Sequence, residues 1–407
     1  MTPVADRIEA VARGASGPGA DRAGVRAAAA APIRVMHVIS TLEAGGTELA
    51  MIRLLRGLGS DAYRFQVAWL RGMPSLGDEV RSATGRNAEP IGLRFKVDPA
   101  ALYRLLRLAR RFRPDIIHTH MDLADYYGAA AAKAVGARLV SSKQNADAFR
   151  VRRTWKRPPF LLLEHAAYAA ADAVIAVSSG LVDYLARVES LPRHKTVVIG
   201  NGVDPDLAAA APSRAEARRA LGIPEGAAVL GTVGRLAEQK GQIDLIRALP
   251  LLRADIPELL CLIAGDGPLR EPLAAEARRL GVADRLHLLG HRTDIPNVLA
   301  ALDLFVLPSL WEGLPQALLE AMAMSLPVLA ARGVGADDLV IDEENGLLIP
   351  PRDPAAIAAA VRRLLRDRPL ARRLGDAARR SAADGHSLAG VAAQVDALYR
   401  RLLRRDR

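Results

Sequence analysis

Residues 308–327 read PSLWEGLPQALLEAMAMSLP, and the segments on either side are organised around them. The apolar run LDLFVLP leads in and has the character of a buried strand. A short turn then carries Glu312 and Gly313. Pro315 follows as a first-turn helix residue, where its missing N–H leaves no intrahelical bond unmade. The helix QALLEAMAM would carry Glu320 on its second turn. One carboxylate thus stands just ahead of a helix start and another inside it, with unpaired backbone N–H groups between them. Such a helix start seats phosphate. Pro315 and Glu320 are roughly 7–8 Å apart along the axis, an interval that a folded nucleotide diphosphate sugar spans, with one Glu at the sugar hydroxyls and the other at the ribose. The same spacing also fits a helix with one solvated Glu and an unrelated Glu in its preceding loop, because acidic residues near helix starts are common.

At 407 residues the chain is too long for one ordinary core, so two domains are expected. Half of its residues are hydrophobic and a quarter are charged, as in ordinary globular proteins. One cysteine, Cys261, excludes an internal disulfide and points to a reducing compartment. No apolar run is long enough for a membrane-spanning helix. Residues 1–32 lack the apolar core of a signal peptide and read as a disordered leader. The formal charge of +11 favours an acidic partner. Nucleic acid is not expected, because no zinc-finger spacing, aromatic-rich strand motif or helix-turn-helix accompanies the charge. Two basic clusters, RVRRTWKRPPF (150–160) and the C-terminal YRRLLRRDR, suit either a negatively charged membrane face or a plain solvated surface.

Along the chain, strand-like runs alternate with helical ones, which indicates parallel, doubly wound sheets. IRVMHVIS opens the order at Ile33, and the glycine loop TLEAGGTE, with Gly45 and Gly46, leads into an amphipathic helix. PDIIHTH is a short strand whose period-2 alternation puts His118 and His120 on one side, at the carboxyl end where open α/β sheets bind ligands. NGVDPD, with its turn-prone NG and Pro205, reads as a loop and not a metal site. Ser213 and Glu216 have capping-box spacing. In GTVGRLAEQKG, Arg235 and Lys240 stand between a strand and a helix, placed to hold a diphosphate by charge-assisted hydrogen bonds. The organisation expected is a leader (1–32), an acceptor-side domain (33–205), a linker (206–225), a nucleotide-sugar-binding domain (226–385) and a C-terminal helix crossing back to the first domain (386–407).

GTVGRLAEQKG, IAGDGPLR, LGHRTDIPNVLAALDLFVLPSLWEGLPQALLEAMA and NGLLIPPRDP, in that order and preceded by the GGTE and NGVD loops, resemble the retaining GT-B-fold glycosyltransferases typified by glycosyltransferase family 4. The resemblance implies an α/β, GT-B architecture of two Rossmann-like, doubly wound parallel-sheet domains facing a central cleft. It implies a hexosyltransferase-type, metal-independent enzyme that needs no cofactor beyond its nucleotide-diphosphate sugar donor. By the family pattern Glu312 holds donor-sugar hydroxyls and Glu320 the ribose hydroxyls. Gly313, Leu314 and Pro315 present backbone to the sugar and phosphate, and Arg235 and Lys240 neutralise the diphosphate. Gly45 and Gly46 face the donor across the cleft. His120 matches the family histidine better than His118, and Arg292 marks the segment that grips the base. His120, Glu312, Arg235 and Lys240 are the expected catalytic set, and Asn145 is an acceptor-side candidate.

Two departures from the pattern are Ser325, where a glycine is usual before Pro-Val, and Asp338 in GVGADDL, where a Glu is usual. The expected reaction extends a glycan or lipid-linked acceptor in cell-surface polysaccharide or glycolipid biosynthesis, at the cytoplasmic face of the membrane. A transferase for a small soluble acceptor and a catalytically silent nucleotide-sugar-binding partner are the alternatives.

Overall fold

The computed structural model describes residues 31–145, 165–188, 191–204 and 206–404. Most of the expected leader and all of the basic run 150–160 lie outside these residues, as does Pro205. Two parallel sheets carry the architecture. The first contains β1 (Ile33–Ile39), β2 (Tyr63–Trp69), β3 (Glu89–Pro90), β4 (Ile116–His120), β5 (Arg138–Lys143), β6 (Ala173–Ala176) and β7 (Thr196–Val198) in the order β3-β2-β1-β4-β5-β6-β7. The second contains β8 (Ala228–Val233), β9 (Leu259–Ala264), β10 (Leu286–Gly290), β11 (Leu304–Leu307), β12 (Val328–Ala331) and β13 (Leu347–Ile349) in the order β10-β9-β8-β11-β12-β13. Every pairing in both sheets is parallel. This is the α/β, doubly wound arrangement that the alternation of elements implies.

Helices cover both faces of each sheet, and in the second sheet the strands β11 and β12 read as continuous apolar runs with no alternation. LFVL of β11 and VLAA of β12 are buried at every position. Cys261 lies inside β9, fully buried, and burial pushes its thiol up, out of the range where it would ionise. Helix starts follow capping chemistry. Asp98 accepts from the N–H groups of Ala100 and Ala101 ahead of Pro99, and Ser213 and Glu216 cap each other's backbone as their spacing implies.

The helices Arg368–His386 and Leu388–Arg404 are separated at Ser387, whose backbone is extended. There Val203 N–H donates to His386 C=O and Leu388 N–H to Val203 C=O. The final helix then packs on the first sheet. Val391, Val395, Leu398, Tyr399 and Leu402 form one apolar stripe against Val35, Ile39, Met51 and Leu55. At about 1.5–3 kcal/mol for each large apolar side chain buried, that stripe is a substantial part of what holds the C-terminal helix in place.

In each sheet the strand order reverses once, between β1 and β4 and between β8 and β11. Ligands of doubly wound sheets bind outside the carboxyl ends of the strands at that reversal. The loops that follow these four strands therefore decide the site.

Candidate functional site

After β1, Gly45 caps the helix Gly46–Leu58 with no side-chain hydrogen bond. A Cβ on Gly45 would lie 2.5 Å from a carboxylate oxygen of Glu48, whereas Gly46 faces open space. Glu48 itself is buried, accepts a hydrogen bond from Thr41 and has its pKa raised, mainly by desolvation. The helix therefore begins at a packed glycine that supplies no side-chain cap.

After β4 comes His120, followed by Met121 at φ 71°, a conformation costly for a residue with a side chain (about 1–3 kcal/mol). His118 and His120 do share one side of the strand, with rings 4.4 Å apart. Their surroundings separate them. The two His118 nitrogens are occupied by the Tyr399 hydroxyl (2.6 Å) and the Ser142 hydroxyl (2.7 Å), so this residue fastens the C-terminal helix to the sheet. His120 Nε2 lies 2.9 Å from His37 Nδ1, and its Nδ1 is buried without a partner. Desolvation lowers the His120 pKa to about 3, and pushes His37 and His118 well below the ordinary imidazole range, so all three are neutral at neutral pH. His37, His118 and His120 each place a nitrogen within 4.8 Å of the other two. The hydrogen bonds to Tyr399, to Ser142 and between His37 and His120 occupy four of the six ring nitrogens, and His37 Nε2 and His120 Nδ1 are buried without a partner.

After β8, the loop to the helix Gln242–Leu252 carries Arg235 and Lys240. Gly241 ends it at φ 60°, where a Cβ would lie 2.0 Å from Pro308 C=O, so this loop and the one after β11 are packed backbone to backbone. Arg235 is exposed, and its guanidinium has no partner among the described residues. Lys240 Nζ donates to both carboxylate oxygens of Glu312, at 2.6 and 2.8 Å, and Ser309 Oγ donates to one of them at 2.7 Å.

After β11, Glu312 is buried beside Gly313, where a Cβ would lie 2.0 Å from Gln144 C=O of the first sheet's side. Leu314 is buried, and its C=O accepts from Asn201 Nδ2 at 3.3 Å. Pro315 stands one place earlier than its sequence suggests, as the N-cap of the helix Gln316–Ala323 and not inside the first turn. That cap makes no side-chain hydrogen bond, so the first N–H groups are unpaired by side chains. Glu320 is buried on the second turn, and its Oε1 accepts from Arg53 Nη2 at 2.5 Å.

Asn145 is exposed at the end of the segment following β5, where its Oδ1 accepts from Gln239 Nε2 at 3.3 Å. Arg292 follows β10, the edge strand of the second sheet, and makes a two-pronged pair with Asp294 at 2.8 and 2.5 Å. Gly45, Gly46, His120, Arg235, Lys240, Glu312–Pro315 and Glu320 thus all occupy or follow the strands at the two order reversals, and Arg292 stands two strands away.

Four residues of this region escape a reading by pattern. Arg53 and His37 are partners of Glu320 and His120, at separations of 267 and 83 residues, and no local spacing signals them. Ser309 is hidden by its ordinary place before a turn. Asp338 stands out only as a departure from a Glu. In the structure it accepts hydrogen bonds from the N–H and hydroxyl of Ser179, at 2.9 and 2.5 Å, and so caps the helix Ser179–Val188 from the other half of the chain.

Known proteins resemble this chain in sequence and in fold. Residues 213–381 match the family model described as glycosyl transferases group 1, and residues 44–207 match that of glycosyltransferase family 4. An Escherichia coli UDP-Gal:alpha-D-GlcNAc-diphosphoundecaprenol alpha-1,3-galactosyltransferase is 32% identical over 278 residues, covering 67% of this chain and 72% of that one. The 2-deoxystreptamine glucosyltransferase of Streptomyces kanamyceticus is 32% identical over 285 residues, covering 66% and 72%. Among solved structures, Anabaena HepE in complex with UDP and glucose superposes with a TM-score of 0.78 at 24% identity, covering 90% of this chain and 99% of that one.

Proposed function

This chain belongs to the family 4 glycosyltransferases of the GT-B fold, and we propose that it is a retaining, metal-independent hexosyltransferase. Its donor is a nucleotide-diphosphate sugar and its acceptor a glycan or lipid-linked glycan. The observation that carries this reading is the convergence, at one pair of strand-order reversals, of two buried carboxylates, the cations Arg235 and Lys240, and two uncapped helix starts.

In this account Glu312 takes the hydroxyls of the donor sugar and Glu320 those of the ribose. The diphosphate lies between Arg235, Lys240 and the start of the helix Gln316–Ala323, with the backbone of Gly313–Pro315 and the Gly45–Gly46 loop closing around it. Charge on the departing diphosphate is stabilised by fixed cations and N–H dipoles, so no metal or other cofactor is required. The bond from the anomeric carbon to phosphate oxygen breaks as the acceptor oxygen bonds to the same face. The acceptor's proton passes to the departing phosphate. His120, kept neutral by burial, offers a hydrogen bond to the sugar without adding charge. Arg292 flanks the base, and Asn145 stands on the acceptor's side.

Two observations support a membrane-side acceptor. One relative acts on a diphosphoundecaprenol-linked sugar. In addition Phe95, Val97 and Tyr103 are 73%, 77% and 62% exposed, interleaved with the exposed basic residues Arg94, Lys96 and Arg107. Apolar side chains among cations suit the interface of an anionic bilayer. No described helix is long and apolar enough to cross a membrane. In this account the contact is peripheral, at the cytoplasmic face. The second relative, named for 2-deoxystreptamine, keeps a small soluble acceptor as the competing reading.

The test is transfer from a panel of nucleotide sugars to lipid-linked and soluble glycan acceptors in the presence of excess EDTA, with the anomeric configuration of the product read by NMR. Retained configuration and chelator-resistant transfer are expected. Inversion, or loss of activity restored by a divalent ion, would contradict the mechanism.

A further inference from the structure

Arg53 lies at the start of the third turn of the helix Gly46–Leu58, where Met51, Ile52, Leu54 and Leu55 form the buried face. Its side chain is nonetheless only 24% exposed, because it reaches across to the second sheet's half and donates from Nη2 to Glu320 Oε1. Its Nη1 is buried and has no partner. On the other side of the pair, Glu320 Oε2 accepts no hydrogen bond among the described residues. The pair therefore holds one unused donor edge and one unused acceptor edge, with the two charges cancelling.

That combination selects a ligand chemistry. An anion placed there would meet the Glu320 carboxylate, and a cation would meet the guanidinium. A neutral hydroxyl satisfies both, because it donates to a carboxylate oxygen while accepting from an N–H. Two neighbouring hydroxyls do so best. Resting on the donor site proposed above, in which Glu320 faces the nucleotide's sugar, we infer that Arg53 is a donor-binding residue that grips the ribose diol together with Glu320. The ribose hydroxyls donate to Glu320 Oε2 and accept from Arg53 Nη1. The first sheet's half thereby reads the same hydroxyls as the second, and the nucleotide ties the two halves together.

The opposite possibility is that Arg53 merely occupies Glu320 and must be displaced, in which case its removal would tighten binding. Isothermal titration separates the two. UDP, ADP and GDP and their 2′-deoxy counterparts are titrated into the full chain as wild type, Arg53→Gln, Arg53→Lys and Glu320→Gln, with folding checked by circular dichroism. A charged hydrogen bond lost to the ligand corresponds to a loss of about tenfold or more in affinity. The expectation is that wild type prefers the ribonucleotide, and that Arg53→Gln loses about tenfold for it but much less for the deoxynucleotide. Arg53→Lys, which retains the charge and the reach to Glu320 but not the second N–H arm, should lower the same preference and covers the case in which the Gln variant fails to fold. If wild type binds none of the six nucleotides, the donor-site reading falls and this inference with it. If wild type binds with a ribose preference that Glu320→Gln removes and both Arg53 variants keep, or if either Arg53 variant binds more tightly, the inference on Arg53 alone is overturned.

Discussion

The Lys240 ammonium donates to both oxygens of Glu312, 2.6 and 2.8 Å away, so the carboxylate assigned to the donor sugar is fixed by the cation assigned to the diphosphate. Glu312 is 6% exposed, and a carboxylate that dry depends on its hydrogen bonds from Lys240 and the Ser309 hydroxyl. Lys240→Ala removes one of the two cations proposed for the diphosphate and leaves Glu312 with the Ser309 hydroxyl alone. Transfer should fall by about 100-fold or more, with a smaller change in donor KM, measured by nucleotide-diphosphate release. Unchanged kcat would remove Lys240 from the mechanism.

A second contact across the two halves is the Asp338 carboxylate on the start of the helix Ser179–Val188. Removing an N-cap costs about 1 kcal/mol. Asp338→Ala should lower stability by that amount in urea and make proteolysis between the halves faster. Asp338→Asn, which keeps an acceptor oxygen, should lose less.

Ser325 occupies φ 58°, the left-handed region in which a side chain is strained. Its place is the one where the family pattern has glycine. Ser325→Gly should relieve about 1 kcal/mol of strain, offset in part by the greater freedom of glycine in the unfolded chain. A rise in Tm of about 1–2 °C is expected, and a fall would show that the Ser325 side chain contributes more than its backbone costs.

The histidine cluster sets a pH dependence. His37, His118 and His120 have folded pKa values below their unfolded value of about 6.5. The folded state then binds fewer protons than the unfolded one, so stability is full above that value and declines as pH falls toward about 3, the folded pKa of His120. Between pH 7 and pH 5.5 the three together should remove about 3–4 kcal/mol, read as a lower urea midpoint. Replacing His118 by Gln should flatten the dependence. Equal stability at the two pH values would contradict the neutral, buried cluster.

Much of the fold is legible in the sequence. The continuous apolar strands and intervening helical periods announce parallel doubly wound sheets, and Gly45, Arg235, Lys240, Glu312 and Glu320 stand where strand ends meet helix starts. Short-range chemistry such as the Ser213–Glu216 capping box is also readable, because both partners sit within one turn. Pairs that depend on tertiary packing are not. Arg53 looks like one more arginine on an amphipathic helix, and His37 like a polar interruption in a strand, until β1 is laid beside β4 and the two halves meet. The distinction between His118 and His120 follows from Tyr399, which arrives from the C-terminal helix. The basic run 150–160 falls outside the described residues and gains nothing from the structure.

In the proposed site a nucleotide-diphosphate sugar binds between Glu312, Glu320, Arg235 and Lys240. The most direct measurement is a thermal-shift series of the full chain against UDP, GDP, ADP and their sugars, repeated with Glu320→Ala and Arg235→Ala. A ligand that binds only the folded state raises Tm with its saturation. Stabilisation by one nucleotide series that both substitutions weaken is the expected result. Stabilisation that both substitutions leave intact, or none with any nucleotide, would contradict the site.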